Sequence, residues 1–149
     1  MRRRDPGLGR TPAGDVVAAA TVVARLRASL PASALVLFGS RATDEYTQLS
    51  DYDLAVVSPA FEAEPRMFRR SEALFVALGD IRRVDPVGLA PSELAALDCL
   101  LVLDVVADGV ALHDEGCFAA AKQRLAVMRA AGQVERLRGG WRLAPAPAR

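Results

Sequence analysis

Residues 35–57 read LVLFGSRATDEYTQLSDYDLAVV, and this stretch decides the fold. An unbroken apolar run, Ala34 to Phe38, has the length and composition of a strand buried on both faces, and it stops at Gly39-Ser40. Ten residues separate Ser40 from Asp51-Tyr52-Asp53, which leads directly into a second apolar run, Leu54 to Val57. Side chains at i and i+2 of a strand share a face, so Asp51 and Asp53 are expected to point the same way at the mouth of that strand. Two neighbouring carboxylates repel unless a cation lies between them. Gly39 permits a turn that a Cβ would resist, and Ser40-Arg41-Ala42 is a natural opening for a short helix whose free amides attract phosphate.

Working outward, the 149 residues are 52% apolar, enough for one domain with a useful core. Nineteen basic and eighteen acidic residues leave a net charge of +1, so global charge does not indicate direct nucleic-acid binding. Cys99 and Cys117 lack metal-ligand spacing and read as ordinary reduced core thiols. The only histidine, His113, excludes zinc sites with paired histidines and is expected at the surface. No apolar stretch reaches the eighteen or more residues of a membrane span. Asp5 and Asp15 interrupt the order of a leader peptide, and cleavage after Ala34 would cut into the first strand.

Residues 1–10 carry Arg, Gly and Pro without periodicity and read as a mobile N-terminal arm. Thr11-Pro12 is expected to open a helix running to about Ser29, with Val16, Ala20, Val23, Leu26 and Leu30 on one face. Glu64 to Leu78 is again helical, and its Arg66, Arg69 and Arg70 read either as a solvated basic face or as a phosphate contact. In Val84-Asp85-Pro86-Val87, the proline favours an extended Asp85 and confines the strand to an edge. Leu94 to Val106 is so apolar that either the sheet and other helices surround it or a partner does. A last helix follows Gly116, and residues 139–149 read as a C-terminal tail in which Trp141 either docks a partner or folds back onto the core.

Gly39-Ser40, ten intervening residues and Asp51-x-Asp53, with an apolar strand on each side, resembles the nucleotidyltransferase superfamily typified by DNA polymerase beta. The chain's length and its Gly109-Val110-Ala111-Leu112-His113-Asp114 segment resemble, within it, the minimal nucleotidyltransferases, antitoxins paired with HEPN-domain toxins. The resemblance implies an α/β (α+β) fold, a small mixed β-sheet covered by helices, with the nucleotidyltransferase domain over residues 11–138. It implies that Gly39, Ser40 and Arg41 bind the nucleotide. Asp51, Asp53 and a third carboxylate, Asp85, would be catalytic and would bind two Mg²⁺ ions, or Mn²⁺. It further implies a cytoplasmic enzyme, able to form a homo-oligomer, that moves AMP from ATP to a hydroxyl, such as a tyrosine's, of its HEPN partner. A stoichiometric, non-catalytic antitoxin and a small-molecule transferase of the aminoglycoside-modifying kind are the alternatives.

Overall fold

The computed structural model describes residues 7–43, 45–47 and 50–144. The chain runs β1 (Gly7–Arg10), β2 (Val16–Ala18), α1 (Ala19–Ser29), β3 (Ala34–Phe38), β4 (Tyr52–Val57), α2 (Met67–Leu78) and β5 (Val84–Leu89). There follow α3 (Pro91–Ala96), α4 (Leu100–Asp108), β6 (Val110–Asp114), α5 (Cys117–Ala130), β7 (Val134–Leu137) and β8 (Gly140–Leu143). Four strands make the central mixed sheet in the order β5-β4-β3-β6, with β3 antiparallel to β4 and β6, and β4 parallel to β5 through the α2 crossover. This is the small mixed sheet covered by helices that the sequence predicts.

The apolar runs are continuous because both faces of β3 and β4 are covered. Leu35, Leu37, Leu54 and Val56 pack with α1 and α2 on one side. Ala34, Val36, Ala55 and Val57 pack on the other, against α3, α4, α5 and Trp141. Pro86 sits in β5, at the sheet edge, where its missing N–H breaks no ladder on the open side.

Several elements differ from expectation. Gly7–Arg10 of the expected arm is a strand paired with β2, while residues 1–6 lie outside the described residues. The helix therefore starts at Ala19 and not at Thr11, because Thr11 closes a turn in which its hydroxyl accepts the Asp15 N–H at 3.1 Å. Gly14 takes φ +94 in that turn. The apolar Leu94–Val106 segment breaks at Leu97, which is fully buried at φ 50, and α4 buries Val102, Leu103, Val105 and Val106 within the protein itself. α2 exposes Phe68, Phe75 and Val76, and α4 exposes Leu100.

Gly140–Leu143 of the expected tail is β8, which pairs with β7 in a hairpin docked by Trp141, whose indole N–H donates to Asp104 Oδ1 at 2.9 Å. Arg129 and Arg136 lie over its ring at 5.6 and 4.9 Å. The expected Pro-Ala end, residues 145–149, is outside the described residues. His113 is largely covered, with its Nε2 3.6 Å from Glu115 Oε1 and lacking a hydrogen bond among the described residues. Cys99 is exposed at the start of α4, not in the core. Burial, reinforced by Asp114, pushes the Cys117 thiol up.

Candidate active site

The site forms where β3 ends and β4 and β5 begin. Gly39 leaves β3 at φ +71, and a single 3₁₀ turn over Gly39–Arg41 is closed by the Ala42 N–H donating to the Gly39 carbonyl at 3.1 Å. A Cβ on Gly39 would stand 2.3 Å from Asp53 Oδ2. Glycine is thus required here both by backbone conformation and by the carboxylate behind it.

Asp53 lies opposite Phe38 in the antiparallel pair and opposite Asp85 in the parallel pair. Alternation puts both carboxylates on the sheet face shared with Ala55, Val57 and Leu89, the face covered by α3, α4 and α5. Burial pushes the Asp53 carboxyl above the usual carboxylate range, and the charges of Asp85 and then Asp51 push it further. Asp51 precedes β4, and its Oδ1 is ion-paired with Arg83 Nε at 3.0 Å.

The donor set suits a hard divalent cation, being made of carboxylate oxygens alone, and a cation would relieve the crowding that raises Asp53. Among the described residues no three acidic, cysteine or histidine side chains are drawn together into a ready-made cage. The Arg83 contact contributes to this spacing, since it holds Asp51 aside.

Arg41 differs from its expected use at a phosphate. Its guanidinium is stacked between Tyr46 and Tyr52, 4.4 and 4.2 Å from the ring centroids, and its Nε and Nη2 donate to the Ser50 carbonyl at 3.3 and 2.9 Å. It ties the residue before Asp51 back to the Gly-Ser turn. A cavity of about 320 Å³ opens beside that turn, between Ser40 and the α4 residues Asp104 and Asp108. Asp108 is paired with Arg136, which holds its carboxyl below the usual range.

Arg70 was one of three arginines open to a phosphate reading, and it is buried instead. Its Nη1 donates to Glu93 Oε1 at 2.5 Å and to the Gly88 carbonyl at 3.2 Å, and its Nη2 donates to the Phe61 carbonyl at 2.9 Å. Arg66 pairs with Glu64, and Arg69 lies over Phe68. Sequence reasoning missed Arg83, because its place beside Asp51 depends on the parallel register that sets Tyr52 against Val84.

A mixed sheet of this order, with a Gly-Ser turn after one strand and facing carboxylates on the next two, is the polymerase beta-like nucleotidyltransferase fold. The chain belongs to the nucleotidyltransferase domain family, whose model matches residues 21–112. Among solved structures it is similar to a toxin–antitoxin complex with AMP-PNP, at 20% identity and a TM-score of 0.50, covering 76% of this chain and 88% of that one. It is also similar to a protein of Sulfolobus solfataricus described as a nucleotidyltransferase, at 25% identity and a TM-score of 0.49, covering 64% of this chain and 76% of that one. A third similarity is to a complex of tri-AMPylated Shewanella oneidensis HEPN toxin with MNT antitoxin, at 23% identity and a TM-score of 0.38, covering 75% and 89%. No curated protein sequence matches the chain significantly. No described helix is long and apolar enough to cross a membrane.

Proposed function

We propose that the protein is a cytoplasmic, metal-dependent nucleotidyltransferase that moves AMP from ATP to a hydroxyl, such as a tyrosine's, of a HEPN-domain toxin, and so acts as an antitoxin. The observation that carries the transferase reading is the pairing of Asp53 with Asp85 in register, directly behind the Gly39-Ser40 turn. The partner class rests on the resemblance of the chain's length and its Gly109–Asp114 segment to the minimal nucleotidyltransferases, and the toxin–antitoxin complex with AMP-PNP that shares the fold is consistent with it.

In this reading the backbone at Gly39 and Ser40, with the Ser40 hydroxyl, binds the triphosphate and orients its α-phosphate. Asp51, Asp53 and Asp85 would hold Mg²⁺, which when bound stabilises negative charge on the entering and leaving oxygens of an in-line displacement. Asp85 is exposed at the strand start and accepts the proton of the attacking hydroxyl. Arg41 acts by position, fastening Ser50, the residue before Asp51, to the Gly-Ser turn.

Incubating the protein with its HEPN partner, ATP and Mg²⁺ is expected to add one or more AMP units to that partner, read by intact-mass spectrometry. Ser40→Ala with Asp53→Ala is expected to abolish both the added mass and neutralisation while the protein stays folded. An unmodified partner that the double variant still neutralises would replace this reading with that of a stoichiometric antitoxin.

A further inference from the structure

We propose that the cleft between the β1–β2 hairpin and the start of β5 is a phosphate-binding subsite built from Arg10, Arg82 and Arg83. A cavity of about 330 Å³ lies there, walled by these three arginines and by Thr11, Pro12 and Gly14 of the hairpin turn. Among the described residues no carboxylate lines it.

Three guanidinium groups are brought to one cavity at a cost to the fold. Arg10 and Arg82 form an antiparallel bridge in which each N–H donates to the other's carbonyl at 2.8 Å, so their side chains rise on the same face, and like charges placed opposite one another repel. Arg83 would point away from Arg82 in a continuous strand, but it adopts φ 69, a left-handed conformation that a side chain disfavours, and lines the same cavity. Backbone strain of this kind collects at ligand sites. The chain's net charge is only +1, so the cluster is not the by-product of a generally basic surface.

Among the described residues, Asp80 feels Arg82 but is bonded to Arg25, and Asp51 is ion-paired with Arg83 through its Nε. Neither Arg10 nor Arg82 has a side-chain hydrogen bond to another described residue. Several guanidinium forks around a cavity of this size match the many acceptor oxygens of phosphate or pyrophosphate, and a single carboxylate would leave most donors unused. Arg83 is shared between the cavity and Asp51, which places the subsite at the edge of the catalytic carboxylates. The hairpin wall precedes the segment matched by the family, residues 21–112, whereas Arg82 and Arg83 lie within it.

The test is calorimetric titration of the full chain with inorganic pyrophosphate and, separately, with ATP, without added metal. Pyrophosphate is expected to bind the native protein and to raise its Tm. Arg10→Gln with Arg82→Gln, which removes charge but keeps side-chain length and polarity, is expected to weaken pyrophosphate binding by about tenfold or more, as loss of charge-assisted hydrogen bonds does. An equal fall in ATP affinity would identify the nucleotide's own phosphate tail as the ligand, and unchanged ATP affinity would identify a separate phosphate or pyrophosphate. Arg82→Gln alone, the milder change, is expected to give part of the loss. Pyrophosphate binding that is absent in the native protein, or equal in native and folded variant proteins, overturns the proposal.

Discussion

Gly39 and Asp53 are in such close apposition that a methyl group on Gly39 would lie 2.3 Å from Asp53 Oδ2. Gly39→Ala therefore meets two obstacles, the clash and the φ of +71. The conformation alone costs about 1–2 kcal/mol for a residue with a Cβ. The substituted protein is expected to lose at least that much stability in urea, and to lose ATP affinity because Asp53 must move.

Asp53 also sets a pH dependence. Its folded-state pKa is raised, first by burial, then by Asp85 and Asp51, so the folded protein holds this proton more tightly than the unfolded chain. The stabilising contribution is complete below the unfolded carboxylate pKa and is lost as pH rises through the raised folded value. Asp53→Asn abolishes this titration, and without metal it is expected to raise Tm at neutral pH and to flatten the fall of Tm above the acidic range. A Tm at pH 7 no higher than that of the native protein would contradict the sign.

Arg70 has a side chain only 4% exposed and donates to Glu93, Gly88 and Phe61. Glu93 is 42% exposed and stays solvated, so the loss of Arg70 chiefly strands the buried Gly88 and Phe61 carbonyls, at about 1–3 kcal/mol each. Arg70→Ala is expected to show that loss in chemical denaturation. Arg70→Lys should recover little of it, because an ammonium cannot reproduce the fork.

Trp141 closes the far side of the core, and Trp141→Ala is expected to cost about 3–5 kcal/mol. Ending the chain at residue 138 should cost at least as much, since it removes β8 along with the indole. A merely appended tail would leave Tm unchanged in both.

Asp85→Asn is expected to leave ATP binding near native and to slow transfer about a hundredfold or more, the usual effect of losing a positioned base. Single-turnover labelling with α-labelled ATP measures it. Near-native transfer would assign the proton to another group.

The two strands around the Gly-Ser turn were legible because their signals are local. A short apolar run that stops at Gly-Ser favours a buried strand, and the Asp51-Tyr52-Asp53 alternation sets an acidic pair at the mouth of the next one. Pro86 announced an edge strand for the same reason, since one missing donor is tolerated only there. The hairpins were not legible. Gly7–Arg10 has four residues and no alternation to speak of, and its strand identity comes from pairing with Val16–Ala18 and from the Arg10–Arg82 bridge.

Arg70 shows the same limit from the other side, because its apparent place on a wet helical face is overridden by carbonyls of Phe61 and Gly88 that only the folded chain brings to it. What the sequence determined by itself is the strand-turn-strand unit from Ala34 to Val57 and its acidic pair, set by residue-to-residue spacing within one stretch, and through them the family resemblance that implies the class of fold. Tertiary structure alone decided that Asp85 faces Asp53, that Arg83 holds Asp51, that Arg41 is stacked between two tyrosines, and that Trp141 belongs to the core. Each of these is a contact between distant segments, and its existence depends on strand order and register, which no local periodicity encodes.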